Sequence, residues 1–449
     1  MPFYLRLSRN RKWICCAAAV VLLGAASHAQ EIPAQADAFI QAFPNEQRFQ
    51  GSVLLARDGN VLFRKSYGMA NADWDIPNTP DTKFRLGSIT KQFTATLILQ
   101  LVEEGKIKLD DSIRKYYAAA PESWQPITIH HLLSHESGIP SYTGIPGFFQ
   151  KMAGVPYTPL QLIELTRDRP LEFTPGTKMA YDNSGYILLG YVIEQVTGKT
   201  YEQQLHSRIL DPLGMADSGF EHNTAILKHR AEGYENENGK LQRAAYLDMT
   251  IPYAAGSMYS TVDDLLKWDQ ALYGTKILSA ASKEKMWKSN LNDYAYGWFI
   301  VNRYGEHSFE HGGGINGFST MIIRVPDKKL LAVALSNMES ESPGLVAAGL
   351  LALALGKPAA LPKHRTAITL PVEQMKPFEG VYVLNPSFKL TIKVVDGHLT
   401  GQATGQGALP LDPMSPTRFF NDTINLELEF QKDGLMLYQN GSAMKFTKE

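Results

Sequence analysis

Apolar and polar residues alternate through GSVLLARDGNVLFRKSYG, residues 51–68, on both sides of Asp58-Gly59. This alternation around a central Asp-Gly predicts a β-hairpin with a tight turn. Strand-like runs return much later in the chain, at YGWFIVN, STMIIRV and KLLAVALSN, and an Ala/Leu-rich run at residues 343–355 predicts a helix after them. We therefore expect one sheet that combines strands from both ends of this segment.

The region between these strands has a different pattern. From Phe93 to Gly105 the apolar residues indicate a mostly buried helix. The remainder combines helical patterns with many Pro and Gly breaks, as in IPSYTGIPGFF and FTPGTK. This order of elements predicts an α/β (α+β) sandwich, in which an antiparallel sheet is flanked by helices and carries an α-helical insertion.

The composition changes at residues 357–372, a Pro-bearing linker without a usable apolar period. Beyond it, residues 373–449 contain short alternating runs that are interrupted by the hairpin dipeptides Asp396-Gly397, Asp433-Gly434 and Asn440-Gly441. We expect a small antiparallel β-barrel there, preceded by a larger domain at residues 30–356.

The first segment has the organisation of a secretory signal peptide. Four basic residues precede an apolar run of about 14 residues, Trp13 to Ala26, which is shorter than the ~20 residues that span a bilayer. The segment ends in Ser27-His28-Ala29. We expect a signal peptide at residues 1–29, cleaved near Ala29, and an exported protein, periplasmic or secreted, without a stable membrane anchor. An uncleaved anchor is the alternative.

Composition and charge limit the classes of partner and of chemistry that the sequence allows. Hydrophobic residues make up 44% of the chain, and 44 basic side chains are balanced by 45 acidic ones. This balance gives no electrostatic footprint for nucleic acid or for an anionic membrane surface, which leaves small-molecule or peptide chemistry. Both cysteines, Cys15 and Cys16, lie in the predicted signal peptide, so the mature chain has no thiol for a disulfide or for catalysis.

Histidines cluster in HHLLSH, at His130, His131 and His135. Two of them are four residues apart, a spacing that can hold zinc on a helix. No glutamate follows the first histidine in the His-Glu-x-x-His manner, and no third ligand is evident. We interpret the three as surface and helix-packing residues, and expect neither metal nor cofactor.

A Ser-x-x-Lys pair is the strongest candidate for chemistry, and the chain contains four of them. Only Ser88 and Lys91 combine helical spacing, which places both side chains on one face, with an apolar helix that would desolvate the lysine. Desolvation lowers the pKa of a lysine, which could then accept the proton of the serine hydroxyl. A serine that caps the helix beside a snorkelling lysine is the alternative. The three other pairs are Ser112/Lys115, Ser282/Lys285 and Ser442/Lys445.

Five segments together resemble the serine β-lactamase-like hydrolases, a group that includes class C-type β-lactamases, D-amino-acid peptidases, penicillin-binding proteins and esterases. The segments are FRLGSITKQFTATLILQLVEEGKIKLDDSI, ITIHHLLSHESGIP, FTPGTKMAYDNSGYILLGYVIEQVTGKTY, AAGSMYSTVDDLLKW and FEHGGGINGFS. The resemblance implies a β-lactamase/transpeptidase-like fold with a lipocalin-like C-terminal β domain.

The resemblance also implies roles for individual residues. Ser88 matches the acylated nucleophile and Lys91 its partner one helical turn away. Tyr181 and Asn183, in YDN, match a second motif. The phenol of Tyr181, flanked by an ammonium, is expected to reach the anionic form more easily and to pass a proton to the leaving group. Asn183 is expected to bind the substrate's amide.

The third motif is His311-Gly312-Gly313, where the family's lactamases and penicillin-binding proteins have Lys-Thr-Gly. The resemblance implies that His311 and Gly313 contact substrate, and that the Gly314 N–H joins that of Ser88 in an oxyanion hole. A neutral imidazole is a poorer counter-ion than an ammonium for a substrate carboxylate. The departure therefore favours a peptidase or esterase over a dedicated β-lactamase.

The sequence thus predicts an exported serine hydrolase that forms an acyl-enzyme at Ser88. The expected substrates are peptides that contain D-amino acids, cell-wall fragments or small esters. There are two alternatives: a true β-lactamase, and a penicillin- or peptide-binding protein that acylates slowly without significant turnover. The sequence leaves the oligomeric state open.

Overall fold

The structure is a computed structural model. It describes residues 31–44, 48–237, 240–361, 365, 367–385, 388–404, 408–421, 426–439 and 442–449. The predicted signal peptide with both cysteines lies outside these residues, as does the predicted Asn440-Gly441 turn.

In the described part of the chain, seven strands form one antiparallel sheet that is built from both ends of the large domain. The hairpin predicted around Asp58-Gly59 is confirmed and forms one edge. It joins the late strands through pairing between Gly51 and Ser336. In spatial order the strands are Tyr294–Ala295, Trp298–Arg303, Glu306–Ile315, Phe318–Val325, Leu330–Ser336, Gly51–Arg57 and Asn60–Tyr67.

The strand Leu330–Ser336 is buried along its whole length because helices cover both faces of the sheet. Leu331, Val333 and Leu335 belong to the core that contains the helix Thr90–Glu103. The alternate residues Leu330, Ala332 and Ala334 belong to a second core, against the helix Ser342–Ala354 and the helical residues 31–41. A continuous apolar run is what a strand buried on two faces requires.

The region between the two sets of strands is mainly helical, as predicted. Its α-helices are Thr90–Glu103, Ile129–Leu133, Phe148–Met152, Pro159–Arg167, Ser184–Thr197, Tyr201–Leu205, Asp211–Leu213, Tyr253–Gly256, Val262–Ala271 and Ala280–Met286. A π-helical turn spans His206–Leu210. Short strands in this region are Met69–Asn71 with Ile76–Pro77, Tyr234–Glu237 with Lys240–Arg243, and Phe84–Arg85 with Met258–Ser260 and Gly219–Phe220.

Eight strands of the described C-terminal residues close into an antiparallel barrel, which confirms the predicted barrel. Its core runs from Met375 to Phe446 and is separate from the two cores of the large sheet. The strands are Gly380–Asn385, Phe388–Val395, His398–Ala403, Leu409–Pro413, Arg418–Asn421, Leu426–Gln431, Gly434–Gln439 and Ser442–Lys448. The short helix Val372–Met375 precedes the barrel. The predicted domain boundaries, 30–356 and 373–449, stay a prediction.

The predicted fold class is confirmed: an antiparallel sheet flanked by helices, an α-helical insertion and a C-terminal barrel. None of the helices in the described residues has the length and apolar character needed to cross a bilayer.

Candidate active site

Ser88 lies in the short turn Gly87–Ile89, immediately before the helix Thr90–Glu103. Gly87 has a φ of +55°, which favours glycine, and a Cβ on it would lie 3.0 Å from the backbone nitrogen of Gly314. The turn therefore brings the backbone beside the serine against the end of the third-motif strand. The α-helix begins at Thr90, two residues after Ser88.

Lys91 is completely buried and makes three hydrogen bonds. Its Nζ lies 3.0 Å from Ser88 Oγ, 2.8 Å from Asn183 Oδ1 and 3.0 Å from the carbonyl oxygen of Ala255. The amide and carbonyl oxygens can only accept hydrogen bonds. A neutral lysine amine has two N–H donors, and these two oxygens use both of them. The lone pair of Nζ then remains for the Ser88 hydroxyl, which is the geometry of a general base.

The electrostatics of Lys91 agree with that geometry. Burial lowers the pKa of the Lys91 ammonium from 10.5 to about 7, and the negative charge of Asp182 opposes this only in part. Desolvation disfavours the charged form of a lysine that has no contacting carboxylate. A substantial fraction of Lys91 is therefore neutral at neutral pH.

Tyr181 lies beside the same lysine, with its ring centroid 4.8 Å from Lys91 Nζ. The residue as a whole is 37% exposed. Desolvation nevertheless raises the pKa of the Tyr181 phenol, and a hydrogen bond with Ser88 opposes the rise only in part. This is opposite to the direction expected from the sequence, because desolvation outweighs the interactions that favour a phenolate. Tyr181 keeps its proton in the resting protein.

Asn183 joins the lysine to the opposite wall of the site. Its Oδ1 accepts from Lys91, and its Nδ2 donates to Thr143 Oγ1 at 3.2 Å. Its backbone N–H donates to Ser141 Oγ at 3.1 Å. The sequence predicted that this amide binds substrate. In the structure the amide contacts Lys91 and Thr143, and Asn183 also lines the space in front of Ser88, so substrate binding by its amide stays a prediction.

The third motif lies on the strand Glu306–Ile315. A Cβ on Gly313 would lie 1.9 Å from the carbonyl oxygen of Leu86 and 2.4 Å from Thr320 Oγ1, so only glycine fits there. Gly314 has nothing within 4 Å of its Cβ position. Gly313 therefore permits close packing of the strand against the serine turn, and its contact with substrate stays a prediction. Gly314 is the residue that faces open space.

The imidazole of His311 is only 3% exposed, and both of its nitrogens have partners. Nδ1 donates to the carbonyl oxygen of Gly312 at 2.6 Å, and Nε2 accepts from the Tyr294 hydroxyl at 3.2 Å. Burial, together with the positive charge of Lys91, lowers the pKa of His311 to about 3. The sequence predicted direct substrate binding by this side chain. In the structure both nitrogens of the neutral ring are engaged within the protein, and substrate binding by His311 stays a prediction.

A cleft of ≈ 440 Å³ opens in front of Ser88. Of the described residues that line it, none is basic, and the two charged ones are the carboxylates Glu235 and Glu339. Burial raises the pKa of Glu339, and the nearby charge of Glu235 adds to the rise. The lining consists of Gly87, Ser88, Tyr142, Thr143, Phe149, Asn183, Glu235, Leu247, Ile251, Pro252, Ala255, Gly256, Gly314, Ile315, Asn316 and Glu339.

Residues 36–356, which hold this site, match the family model described as Beta-lactamase. The chain belongs to the Beta-lactamase family. It is 30% identical over 434 residues to Penicillin-binding protein 4* of Bacillus subtilis (strain 168), with 88% of this chain and 94% of that protein covered.

Solved structures of related proteins have the same fold. The octameric penicillin-binding protein homologue from Pyrococcus abyssi aligns with a TM-score of 0.63 and 30% identity, over 88% of this chain and 95% of that one. A D-stereospecific amidohydrolase from Streptomyces sp. aligns with a TM-score of 0.58 and 29% identity, over 70% and 94% respectively.

The other Ser-x-x-Lys pairs of this family member lack the geometry of the first. Ser112 caps a short turn, and Lys115 pairs with Asp111 at the surface. Ser282 is buried and lies beside Glu103. The pair Ser442/Lys445 lies in the last barrel strand.

The sequence interpretation missed His135. His130 and His131 have the packing roles expected: Nδ1 of His130 pairs with the Tyr296 hydroxyl at 2.7 Å, and Nδ1 of His131 accepts from the Thr128 backbone at 3.3 Å. His135, in contrast, is completely buried against Tyr181. His135 lies two residues beyond the end of the helix Ile129–Leu133, so its side chain need not point in the direction that helical spacing from His131 indicates. This position could have signalled a different role. The described residues contain no group of three or more side chains placed to hold a metal ion.

We expect Gly313→Ala to lower acyl transfer by roughly 10²–10³-fold, the size of the loss of one oxyanion donor. The methyl group would collide with the Leu86 carbonyl, so the strand must move and carry Gly314 away from Ser88. The measurement is kcat on a p-nitrophenyl ester, with a thermal melt for each protein.

Gly312→Ala is the matched control for this change. A Cβ there meets Met321 Cε and the Thr320 carbonyl oxygen at 3.5 Å, an ordinary contact. We expect nearly wild-type rates from it. Equal rates in the two variants would show that the contact with Leu86 does not set the position of Gly314.

Proposed function

We propose that this protein is an exported serine hydrolase that forms an acyl-enzyme at Ser88. Its proposed substrates are peptides that contain D-amino acids, cell-wall fragments, or small esters. The observation that carries the proposal is the set of contacts of Lys91 Nζ: two oxygens take both N–H groups of a neutral amine, which leaves its lone pair for Ser88 Oγ, 3.0 Å away. A lysine that only snorkels from a serine cap would reach water instead.

In the proposed acylation step, Ser88 Oγ attacks the substrate carbonyl carbon while its proton passes to neutral Lys91 Nζ. The negative charge that develops on the carbonyl oxygen is stabilised by the backbone N–H groups of Ser88 and Gly314. The tetrahedral intermediate then expels the leaving group. No metal or cofactor takes part in this proposal.

Tyr181 is proposed to supply the proton that the leaving group needs. Its phenol keeps its proton in the resting protein, because desolvation raises its pKa. Its phenol is close enough to Ser88 for that residue to oppose the rise in pKa, and its ring lies over Lys91 Nζ. When the phenol donates its proton to the leaving group, the Lys91 ammonium formed in the first step restores that proton. Water then hydrolyses the ester: Lys91 accepts a proton from the attacking water and returns it to Ser88 Oγ as the acyl–oxygen bond breaks.

The charge of the cleft supports a substrate without a carboxylate near the reacting bond. Glu235 and Glu339 would repel an anionic group, and none of the described residues that line the cleft is basic and could attract it. His311 stays neutral, as its lowered pKa indicates. Penicillins carry a carboxylate, whereas amides and esters of D-amino acids carry a free ammonium group.

The comparisons support the general assignment and leave two alternatives. A D-stereospecific amidohydrolase is among the structural neighbours, which favours amide hydrolysis. A penicillin-binding protein is among the sequence relatives, which keeps the slowly acylating binding protein as the rival. A true β-lactamase is the other alternative, and the charge of the cleft counts against it.

A matched series of substrates tests the proposal. D-alanine p-nitroanilide, its N-acetyl derivative and its N-succinyl derivative share one leaving group and differ in charge at the amine, from cationic through neutral to anionic. We expect kcat/KM to be at least about tenfold higher, ~1.4 kcal/mol, for the cationic compound than for the anionic one. The double variant Glu235→Gln, Glu339→Gln should reduce the difference in kcat/KM between the cationic and the anionic compound.

The same protein should be tested with a fluorescent penicillin. Slow labelling beside rapid turnover of the anilide is the expected result. Rapid penicillin hydrolysis would instead establish a β-lactamase. A stable penicillin adduct with no turnover of any compound in the series would establish the binding protein.

A further inference from the structure

His135 holds the backbone on both sides of Tyr181. Its carbonyl oxygen accepts from the N–H of Ala180 at 3.0 Å, and its imidazole Nδ1 accepts from the N–H of Asp182 at 3.2 Å. These are the residues immediately before and after the tyrosine. A single residue therefore fixes the chain at both neighbours of the phenol.

The imidazole ring of His135 also contacts the phenol itself. The two ring centroids are 4.3 Å apart, with an angle of 38° between the planes. Tyr186 and Tyr294 lie around the same imidazole, at centroid distances of 5.1 Å and 4.7 Å. Because the imidazole is enclosed by aromatic rings and is 0% exposed, it has little freedom to move away from Tyr181.

The protonation state of His135 follows from its hydrogen bonds. Nδ1 accepts an amide N–H, so in the neutral ring the proton is on Nε2. Nε2 is buried and has no hydrogen-bond partner in the described part of the chain. Burial lowers the pKa of His135 and keeps the ring neutral, although Asp182 opposes this.

An unpaired buried N–H is unfavourable, and the backbone of His135 has a φ of +60°, where most side chains are strained. A packing role alone would be filled at lower cost by an apolar residue. The polar contacts of this side chain are with Asp182, the residue next to Tyr181: Nδ1 accepts from its backbone N–H and lies 3.5 Å from its Oδ2.

We infer that His135 is a positioning residue for Tyr181: its carbonyl and its imidazole together hold the phenol where it can donate to the leaving group. The inference rests on the proposed function, in which Tyr181 protonates that group. Loss of the Nδ1 acceptor should therefore lower kcat most for substrates whose leaving group must be protonated.

The test compares two substrates with the same acyl group. D-alanine p-nitroanilide releases an amine that must be protonated, whereas D-alanine p-nitrophenyl ester releases a stable phenolate. His135→Phe keeps an aromatic ring and removes the acceptor. We expect kcat on the anilide to fall at least tenfold more than kcat on the ester, with KM little changed for both, and Tyr181→Phe should show the same selectivity.

His135→Asn provides the conservative rescue. Its Oδ1 replaces Nδ1 as an acceptor, and asparagine tolerates a positive φ better than most residues. We expect it to recover most of the anilide activity. Where His135→Phe does not fold, as a thermal melt shows, His135→Gln replaces it, because its longer side chain moves the acceptor away from Asp182; it should remain selectively defective.

The outcomes distinguish a failure of the proposed function from a failure of the role inferred for His135. A wild-type protein that turns over neither substrate overturns the proposed function and this inference with it. Wild-type turnover together with equal losses on both substrates, or with no loss in His135→Phe, overturns only the role of His135. An asparagine variant as defective on the anilide as His135→Phe also overturns it, since the acceptor would then not matter.

Discussion

Replacing Ser88 with alanine is expected to lower ester hydrolysis by on the order of 10⁴-fold or more, because the nucleophile that forms the covalent intermediate is lost. The same change should abolish labelling by a fluorophosphonate, which reacts with an activated serine. Initial rates on a p-nitrophenyl ester and a labelling gel measure both effects. The fold should persist, since the neighbouring turn depends on Gly87 rather than on the hydroxyl.

Two other serines of Ser-x-x-Lys pairs serve as controls. Ser112→Ala removes a turn cap and Ser282→Ala removes a buried hydroxyl, and neither lies near Lys91 or the cleft. Both variants should keep their labelling and their rates. Persistent labelling of Ser88→Ala at another serine would show that the nucleophile has been assigned to the wrong residue.

Lys91→Met is expected to reduce acylation by roughly 10²–10⁴-fold, the usual contribution of a general base. Methionine fills a similar volume in the buried site and has no proton acceptor of comparable strength. Lys115→Met is the matched control, because Lys115 belongs to a surface pair with Asp111. Acylation rates from burst kinetics are the measurement.

The pH dependence of the wild-type protein tests the same residue without a mutation. The pKa of Lys91 is lowered to about 7, and its neutral form is the active one. The acylation rate should therefore rise with pH through a midpoint near 7 and fall about tenfold for each unit below it. This rise should be missing from Lys91→Met. A rate that is already maximal at pH 5, or an unchanged profile in the variant, would exclude Lys91 as the base.

Much of the fold could be predicted because local patterns determine it. The Asp58-Gly59 hairpin and the helix Ser342–Ala354 follow from side-chain period and turn residues alone. The strand order could not be read in the same way, since the pairing of Gly51 with Ser336 joins residues that are distant in the chain. Closure of the barrel likewise depends on pairing between its first and last strands.

For the candidate site, too, local spacing could be read from the sequence and contacts between distant residues could not. Ser88 and Lys91 were found because one helical turn separates them. Asn183 contacts Lys91 across 92 positions of sequence, so its part in orienting the amine could not be seen. The direction of the Tyr181 pKa shift was missed because it depends on the burial of the phenol in the folded chain. His135 was missed because its function depends on which side chains surround it in the folded chain.

The most direct measurement of the central claim is a rapid-quench mass spectrum of the wild-type protein mixed with D-alanine p-nitrophenyl ester. We expect one alanyl group on each protein molecule, located by digestion to the peptide that contains Ser88, and lost again as the ester is consumed. Full turnover without such an adduct, or an adduct on a different residue, would contradict acyl transfer through Ser88.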